Sequence, residues 1–294
     1  MKDFSYWQKY EGLNEGSGRS EKTWLINPDT KQTGLFKVKK GFETTDNISE
    51  CIAGDIAELI GVHCAKCEVG RYHNKVGSIS YNIVTSENIH FSEGINYITN
   101  LYPLYDPDKF IDTASGDRYS VEMVHTVLTP YQGIFQQFLG MLVFDYLIGN
   151  SDRHQSNWAL LEKEGKVELS PLYDNSSSLC AYVSEKDISS YASHDQLRWK
   201  SLVETKSRSL LRICVHDIKR PTHLEMMEYF YQKYYTETQS YVKRIDKNLT
   251  SKNIASIVCK YLNDGLSVER KELITRFLFA KRKTLIDLYN QKEV

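Results

Sequence analysis

The amino-acid sequence predicts an α+β fold in two lobes: a small antiparallel sheet packed on one main helix, followed by a larger, mostly helical lobe. Two observations favour this class. Strand-like and helix-like hydrophobic periods alternate up to residue 84, and from residue 131 onwards helical periods dominate. We place the lobe boundary near residue 86, which gives an N-terminal lobe at 1–85 and a C-terminal lobe at 86–294.

The first predicted element is a β-hairpin. Residues 23–26 and 35–38 have extended, apolar character, and Asn27-Pro28-Asp29 between them is a turn signal. Residues 14–20 read Asn-Glu-Gly-Ser-Gly-Arg-Ser, which is typical of a loop with an exposed backbone. The sheet is therefore expected to begin with a glycine-containing loop and a hairpin.

The hydrophobic period then becomes that of a helix, over residues 46–60. Its apolar side chains, spaced to lie on one face, are Ile52, Ile56, Leu59 and Ile60. Asn47 or Ser49 is the expected N-cap of this helix, and Gly61 is its expected end.

A second hairpin is predicted after this helix. Residues 69–72 and 76–84 alternate between apolar and polar side chains, and Asn74-Lys75 separates them. The order strand pair, helix, strand pair is typical of a small antiparallel sheet packed on one helix.

The C-terminal lobe is predicted from one buried helix and a long amphipathic region. Residues 131–147 are apolar almost all round, which is typical of a helix inside a large core, and Gly149 is its expected end. The other elements expected in this lobe are short strands at 158–161 and 167–169 and amphipathic helices at 223–245 and 252–290.

Composition and charge exclude several classes of protein. With 37 Lys and Arg against 38 Asp and Glu, the net charge of -1 produces no overall basic field, so no direct nucleic-acid binding is expected. No apolar run approaches the ~18 residues of a membrane span, and the N-terminus lacks the apolar core of a signal peptide. Six irregularly spaced cysteines are too few for a disulfide scaffold, so a reduced, cytoplasmic protein is expected.

The reactive side chains concentrate in the polar loop after the buried helix and in a second loop near residue 174. Phosphoryl transfer needs a carboxylate that orients the attacking hydroxyl, and oxygen ligands that hold magnesium. Asp152 is the candidate base, and Asn157 and Asp174 are the candidate metal ligands. Each of them alone is better explained as a turn residue. The three together, between a buried helix and a strand pair, favour a site.

These residues carry a resemblance to a known family. The two motifs are Asn150-x-Asp152-Arg153-His154-x-x-Asn157 and Leu172-Tyr173-Asp174. They resemble the catalytic and metal-binding motifs of HipA-like serine/threonine kinases, in particular the short CtkA-type members, and the first motif is also similar to that of phosphoinositide kinases. The resemblance covers most of the chain. It implies a bilobal protein-kinase-like fold, with ATP and Mg²⁺ as cofactors.

The resemblance also implies roles in the N-terminal lobe. Lys37 should hold the nucleotide phosphates, and Glu50 should pair with Lys37. The family usually has a proline soon after this lysine, whereas Val38-Lys39-Lys40 follows here. Lys39 is therefore the alternative, because residues 37 and 39 point to the same face of a strand.

The loop at residues 14–20 should cover the nucleotide phosphates through Gly16, Ser17 and Gly18. Members of the resembled family can be phosphorylated on a serine in this loop, which switches them off. Ser17 and Ser20 are therefore the candidate autophosphorylation sites, since a phosphate there would repel the triphosphate. The alternative is that these serines are only small polar loop residues.

The function implied is an ATP- and Mg²⁺-dependent serine/threonine protein kinase capable of autophosphorylation, with Asp152 as base. His154 is either a second catalytic group or the donor or acceptor of a structural hydrogen bond. One alternative is a kinase of a lipid or small molecule, against which the loop after Asp174 has no basic cluster. The other is a kinase-fold toxin or binding module with little activity. The expected partners are a protein substrate and an antitoxin, unless the protein is delivered elsewhere as an effector.

Two further patterns have competing interpretations. Cys64-Ala-Lys-Cys67 beside His63 suggests zinc, but a single C-x-x-C is weak evidence, and free core cysteines are the preferred interpretation. The stretch at 270–294 has seven basic and three acidic residues. A solvated helix face explains it more simply than an acidic partner does.

Overall fold

The computed structural model describes residues 1–12, 21–192 and 195–291, and it has the predicted α+β architecture. A six-stranded sheet and one helix form the N-terminal part, and helices dominate the rest. None of the described helices is both long enough and apolar enough to cross a membrane.

The N-terminal sheet contains both predicted hairpins, and its strand order is β1-β5-β6-β4-β3-β2. Its strands are β1 (Lys2–Asp3), β2 (Gln8–Lys9), β3 (Lys22–Ile26), β4 (Thr33–Val38), β5 (Cys67–Tyr72) and β6 (Lys75–Tyr81). Only the β1–β5 pairing is parallel among these strands. The second turn lies one residue earlier than predicted, at His73 and Asn74, because Lys75 already pairs with Tyr72. His73 adopts the left-handed φ of 52° that this tight turn requires.

Helix α1 (Asp46–Leu59) packs on this sheet with its predicted apolar face inward. The predicted N-caps are wrong. Thr45 occupies that position, because its backbone N–H donates to the Ala181 carbonyl at 3.1 Å and the helical turn begins there. Asn47 and Ser49 are buried inside the helix instead. Gly61 follows in the left-handed region, with φ 69°, and ends the helical path as predicted.

Helix α4 is the centre of the C-terminal lobe, and nearly every side chain from Phe138 to its end is buried. Gly149 ends it with φ 69°, as predicted, and a Cβ there would lie 2.7 Å from the Phe277 ring. The elements from β7 to α4 are β7 (His90–Glu93), α2 (Gly94–Leu101), β8 (Tyr105–Asp106), β9 (Ile111–Asp112), α3 (Val121–Leu128) and α4 (Ile134–Ile148).

The two strands predicted after α4 form a hairpin, β10 (Ala159–Lys163) and β11 (Lys166–Leu169). Strand β7 pairs with the other edge of β10, which makes a three-stranded sheet. The boundary near residue 86 falls between β6 and β7, which belong to different sheets, and its exact position stays a prediction.

The chain after β11 contains more helices than predicted. They are α5 (Glu185–Ala192), α6 (Gln196–Lys200), a π-helical turn (Ser201–Thr205), α7 (His223–Lys233), α8 (Tyr235–Asn248), α9 (Ser251–Cys259), a 3-10 turn (Leu262–Asp264) and α10 (Val268–Asn290). The helix predicted at 223–245 is divided at Tyr234, and the helix predicted at 252–290 is divided between Cys259 and Val268. Side-chain caps mark the starts of α7, α9 and α10. Thr222 forms a capping box with Glu225, and Thr250 and Ser267 each accept a hydrogen bond from a first-turn N–H.

The basic residues of α10 are not all on a solvated face, which corrects the sequence interpretation. Arg270 is 0% exposed and donates to Glu185 at 2.8 and 3.0 Å. Lys281 is 1% exposed, with its Nζ 2.9 Å from the Ser207 Oγ and 4.4 Å from the centre of the Tyr146 ring. Both cations have internal partners, which hydrophobic periodicity cannot reveal.

Candidate active site

The candidate active site is a cleft between the N-terminal sheet and the loops that follow α4. It comprises two cavities of about 430 and 860 Å³ that share Lys22, Lys37, His154 and Asp174 in their walls. The apolar wall of the smaller cavity consists of Trp24, Leu35, Ile83, Val84, Ile89 and Phe91. The larger cavity is lined by charged groups, among them Glu50 and Asp152.

The loop after α4 is held to the helix by Asn150. Its backbone N–H donates to the Asp145 carbonyl at 2.9 Å, and its Nδ2 donates to the Asp145 carboxylate at 3.0 Å. The Asn150 Oδ1 accepts from the Asp152 N–H at 3.1 Å. The candidate base therefore follows a turn that is anchored to a buried helix.

A buried hydrogen-bond chain supports the same loop from behind. The Asn150 carbonyl lies 2.9 Å from the His223 Nε2, and the His223 Nδ1 lies 2.8 Å from the Ser207 Oγ. Lys281 donates to that Oγ. Burial, and next the Lys281 charge, hold the pKa of His223 well below its usual value, so the ring is neutral. A neutral ring that accepts at Nδ1 and donates at Nε2 fits both contacts.

Arg153 joins the two loops, and sequence reasoning assigned it no role. Its guanidinium contacts both Asp145 carboxylate oxygens at 2.9 and 2.8 Å. It also donates to the Asn157 and Tyr173 carbonyls at 2.7 and 2.9 Å and to the Asn175 Oδ1 at 2.7 Å. These bonds use the full donor fork of an arginine. The sequence contained a signal for this network, because Asp145 is the one charged residue of the mostly apolar helix α4.

The three candidate side chains of this loop have different surroundings. Asp152 is half-buried in the wall of the larger cavity. Asn157 lines the smaller cavity, and its Nδ2 donates to the Asp152 carbonyl at 2.7 Å, which leaves its oxygen as the group for a cation. The His154 Nδ1 accepts from the Ser156 N–H at 3.2 Å, a structural hydrogen bond of the kind considered for this residue.

The Asp152 carboxyl is tuned by its surroundings. Burial raises its pKa, and the nearby Asp174 charge raises it further, while His154 and Lys40 oppose the shift. The net shift is upward. A carboxylate with a raised pKa is a better proton acceptor than an ordinary surface aspartate.

Lys37 and Asp174 meet in the cleft, with the lysine Nζ 2.9 Å from the Asp174 Oδ1. Burial alone would raise the pKa of Asp174, but the charge and hydrogen bond of Lys37 lower it to about 2. Asp174 also has a left-handed φ of 56°, which is costly for a residue with a side chain. Lys39 also lines the larger cavity, but its Nζ donates to the Phe42 carbonyl at 2.8 Å.

Glu50 does not form the predicted direct ion pair with Lys37 within the part of the chain that the structure describes. Lys37 instead contacts Asp174, and Glu50 acts on Lys37 only through its charge. Burial raises the pKa of Glu50, the Lys37 charge opposes this, and the Asp174 charge adds to it. The Glu50 Oε2 is buried without a hydrogen-bond partner among the described residues. Two carboxylates thus compete for one lysine, and Asp174 holds the contact.

The predicted phosphate loop lies outside the described residues. Gly16, Ser17, Gly18 and Ser20 belong to this segment, which joins β3 just before Lys22. The first described residues after this segment are Glu21 and Lys22, which line the cleft.

Comparison with known proteins gives one family and a consistent fold. The model of the HipA-like C-terminal domain matches residues 15–238. The serine/threonine-protein kinase CtkA of Helicobacter pylori strain J99 is 27% identical over 149 residues, which are 49% of this chain and 43% of CtkA. The aligned segment thus spans less than half the length of this relative.

Solved structures of other proteins resemble the fold of this chain. The crystal structure of a Helicobacter pylori proinflammatory kinase CtkA matches with a TM-score of 0.79 and 18% identity, over 99% of this chain and 97% of that one. Shewanella oneidensis HipA, in a complex with HipB and operator DNA, matches with a TM-score of 0.51 and 12% identity, over 96% and 65% of the two chains. Since the family model spans residues 15–238 and the fold is that of a bilobal kinase, the chain belongs to the HipA-like C-terminal domain family.

Proposed function

We propose that the chain is an ATP- and Mg²⁺-dependent serine/threonine protein kinase. One observation carries the proposal: Lys37 from the N-terminal sheet converges with Asp152, Asn157 and Asp174 from the loops after α4 on two adjoining cavities. Phosphoryl transfer between ATP and a hydroxyl requires a phosphate-binding cation, metal ligands and a base within one cleft.

The smaller cavity suits the nucleotide. Its apolar wall offers a purine two faces of aliphatic and aromatic side chains, with Leu35 on the sheet and Phe91 on β7. Lys37 and Asp174 also line this cavity, so its wall has a charged part as well as an apolar part. A nucleotide whose purine is bound against Leu35 would direct its phosphates towards Lys37.

Asp174 and Asn157 fit a magnesium ion. The Asp174 carboxyl is ionised at every physiological pH, because its pKa is lowered to about 2. A carboxylate and an amide oxygen are the hard ligands that Mg²⁺ takes. When bound, Mg²⁺ would neutralise charge on the phosphate oxygens. Lys37 and Asp174 would then exchange their mutual contact for contacts to phosphate and metal, with Glu50 as a second partner for Lys37.

Asp152 would accept the proton of the acceptor hydroxyl. It lies in the larger cavity, next to Asp174 and His154 in the wall, and its raised pKa suits a base. Arg153 serves this step indirectly, because its guanidinium binds the backbone on both sides of the cleft floor, at Asn157 and Tyr173.

A protein acceptor is favoured over a lipid or small molecule by the rim of the larger cavity. Phe42 is 97% exposed, and Tyr182 is half-exposed with its hydroxyl 3.0 Å from the Lys40 Nζ. Lys39 and Lys40, which line that cavity, are engaged by Phe42 and Tyr182. An extended peptide can cover such aromatic side chains, whereas a lone headgroup would leave them in water.

Three finer points stay predictions within this proposal. Autophosphorylation of Ser17 or Ser20 is supported by the sequence and by Lys22, which follows Ser20 by two residues and lines both cavities. An antitoxin partner is supported by the HipB-bound state of the Shewanella relative. A cytoplasmic location, or delivery as an effector, rests on the sequence and the family alone.

The test is phosphate transfer from labelled ATP with Mg²⁺ by three variants. Asp152→Asn should bind ATP normally but transfer phosphate at least about 100-fold more slowly, because only the base is lost. Asp174→Asn should weaken Mg²⁺-dependent ATP binding, measured by calorimetry. Asp287→Asn, a matched change on the exposed side of α10, should behave like the parent protein. Equal transfer by the parent and Asp152→Asn would refute the assignment of the base.

A further inference from the structure

A third cavity, of about 950 Å³, lies away from the cleft and shares no lining residue with the two cleft cavities. Its walls come from α1, β5 and the segment around Tyr261. Three of the six cysteines line it, namely Cys51, Cys64 and Cys67. The proposed function uses none of them.

Two of these thiols are in direct contact. The Cys51 Sγ, on α1, lies 3.2 Å from the Cys67 Sγ, on the first residue of β5. The third thiol faces a different group, because the Cys64 Sγ donates to the Leu172 carbonyl at 3.1 Å and accepts from the Asn175 Nδ2 at 3.3 Å. The thiol pair in space is therefore Cys51 with Cys67, and the C-x-x-C pair in the sequence is not the contact pair.

A zinc site at these residues has no support. Within residues 1–12, 21–192 and 195–291, no group of three or more His, Cys, Asp or Glu side chains is arranged to hold a metal ion. Two adjacent thiols beside an open cavity have a different chemistry, which is thiol–disulfide exchange.

We propose that Cys51 and Cys67 form a redox-active dithiol, which a small-molecule disulfide such as oxidised glutathione closes to an intramolecular disulfide. The Cys67 thiolate attacks one sulfur of glutathione disulfide, forms a mixed disulfide and expels one glutathione thiolate. The Cys51 sulfur then attacks Cys67, loses its proton to water and expels the second glutathione. The two protein thiols are oxidised, and one glutathione disulfide is reduced to two thiols.

The order of attack follows from exposure and ionisation. Cys67 is partly exposed at the cavity, whereas Cys51 is 2% exposed. Burial, and next the contact with Cys67, raise the pKa of the Cys51 thiol well above its usual value. Cys51 is therefore the resolving thiol, and closure of the bond should accelerate as the pH rises.

The bond would tether two elements of the N-terminal lobe. Cys51 directly follows Glu50 on α1, and Cys67 begins a strand of the sheet on which α1 packs. Oxidation would thus restrain the helix that carries Glu50. The assignment of the thiol pair does not rest on the proposed kinase function.

The experiment uses the reduced, full-length protein with oxidised glutathione, followed by acid quenching, alkylation of free thiols and non-reducing peptide mapping. Cleavage after Lys66 and after Glu58 puts Cys51, Cys64 and Cys67 on three different peptides. The expected product is a Cys51–Cys67 linked peptide pair and the loss of two hydrogens. The exposed Cys214 should retain a glutathione adduct, which verifies that the reagent acted.

Three variants separate this pair from the sequence motif. Cys64→Ser should still form the Cys51–Cys67 bond, whereas Cys51→Ala should stop at a glutathione adduct on Cys67. Cys67→Ser, at the more exposed position, should leave Cys51 free for alkylation even if Cys51→Ala fails to fold. A Cys64–Cys67 link in the parent protein, or a lasting glutathione adduct on Cys67 with Cys51 alkylated, would overturn the proposal.

Discussion

Replacement of the buried Lys281 by methionine should stabilise the protein at low pH and have little effect at high pH. Burial lowers the pKa of Lys281 from 10.5 to about 7, although Cys180 and Glu204 oppose the shift. Between pH 7 and pH 10.5 the unfolded chain therefore carries a proton on Lys281 that the folded protein lacks. The lysine thus costs stability at every pH below 10.5. The full cost of the lysine, which applies below pH 7, is about 5 kcal/mol.

The gain from Lys281→Met can be calculated at two pH values. At pH 6 nearly the whole cost of about 5 kcal/mol is removed, and at pH 9.5 only about 1.5 kcal/mol remains to be removed. The variant also loses the hydrogen bond to Ser207, worth about 1 kcal/mol. Methionine keeps the contact with the Tyr146 ring. The net stabilisation should thus fall from about 4 kcal/mol to nearly zero.

Urea unfolding of the parent protein and the variant at pH 6 and pH 9.5 measures this difference. Lys283→Met is the matched control, because Lys283 is exposed on the same helix and its ion pair with Asp287 is worth little. The control should shift the unfolding free energy by under about 0.5 kcal/mol at both pH values. Destabilisation of Lys281→Met at pH 6, or an equal effect at the two pH values, would refute the reasoning.

Three further predictions concern the cleft. Lys37→Ala should lose more phosphate transfer than Lys39→Ala, because Lys37 contacts Asp174, the carboxylate proposed to bind the metal, and Lys39 bonds its own loop; the reverse order in a transfer assay would move the assignment two residues. Arg153→Lys should lose about 3 kcal/mol in urea unfolding, since an ammonium cannot replace a buried five-donor fork, and parental stability would contradict this. His154→Gln should shift the acid limb of the pH–rate profile to higher pH, because its charge lowers the pKa of Asp152; an unmoved limb would exclude that coupling.

Hydrophobic periodicity predicted the elements that have one apolar face and the helix that is apolar on nearly all sides. The hairpins around β3–β4 and β5–β6, helix α1 and the buried α4 have strong local patterns. The helices predicted at 223–245 and 252–290 are each divided in the structure, the first at Tyr234 and the second between Cys259 and Val268, because such a break leaves the average hydrophobic period unchanged. Strand β7 was missed because its sequence, His-Phe-Ser-Glu, has a single apolar side chain and therefore shows no hydrophobic period.

The cleft residues were identifiable because their types and spacing are chemically specific, but their contacts were not. Whether Lys37 contacts Glu50 or Asp174 depends on how three separate elements pack together. The partners of Arg153 lie at positions 145, 157, 173 and 175, and the Cys51–Cys67 contact joins a helix to a strand. Contacts of this kind arise from tertiary packing, and no local pattern encodes them.

The contact between Lys37 and Asp174 has a thermodynamic consequence under the proposed function. Each of the two side chains blocks the other from its own ligand, so the nucleotide and the metal ion both have to break the same ion pair. Whichever ligand binds first spares the second that cost. The nucleotide must therefore raise the affinity for the metal ion by the same factor as the metal ion raises the affinity for the nucleotide. This follows because the total free energy of binding both ligands does not depend on which of them binds first. The cleft would respond to nucleotide and metal as a joint signal and only weakly to either one alone.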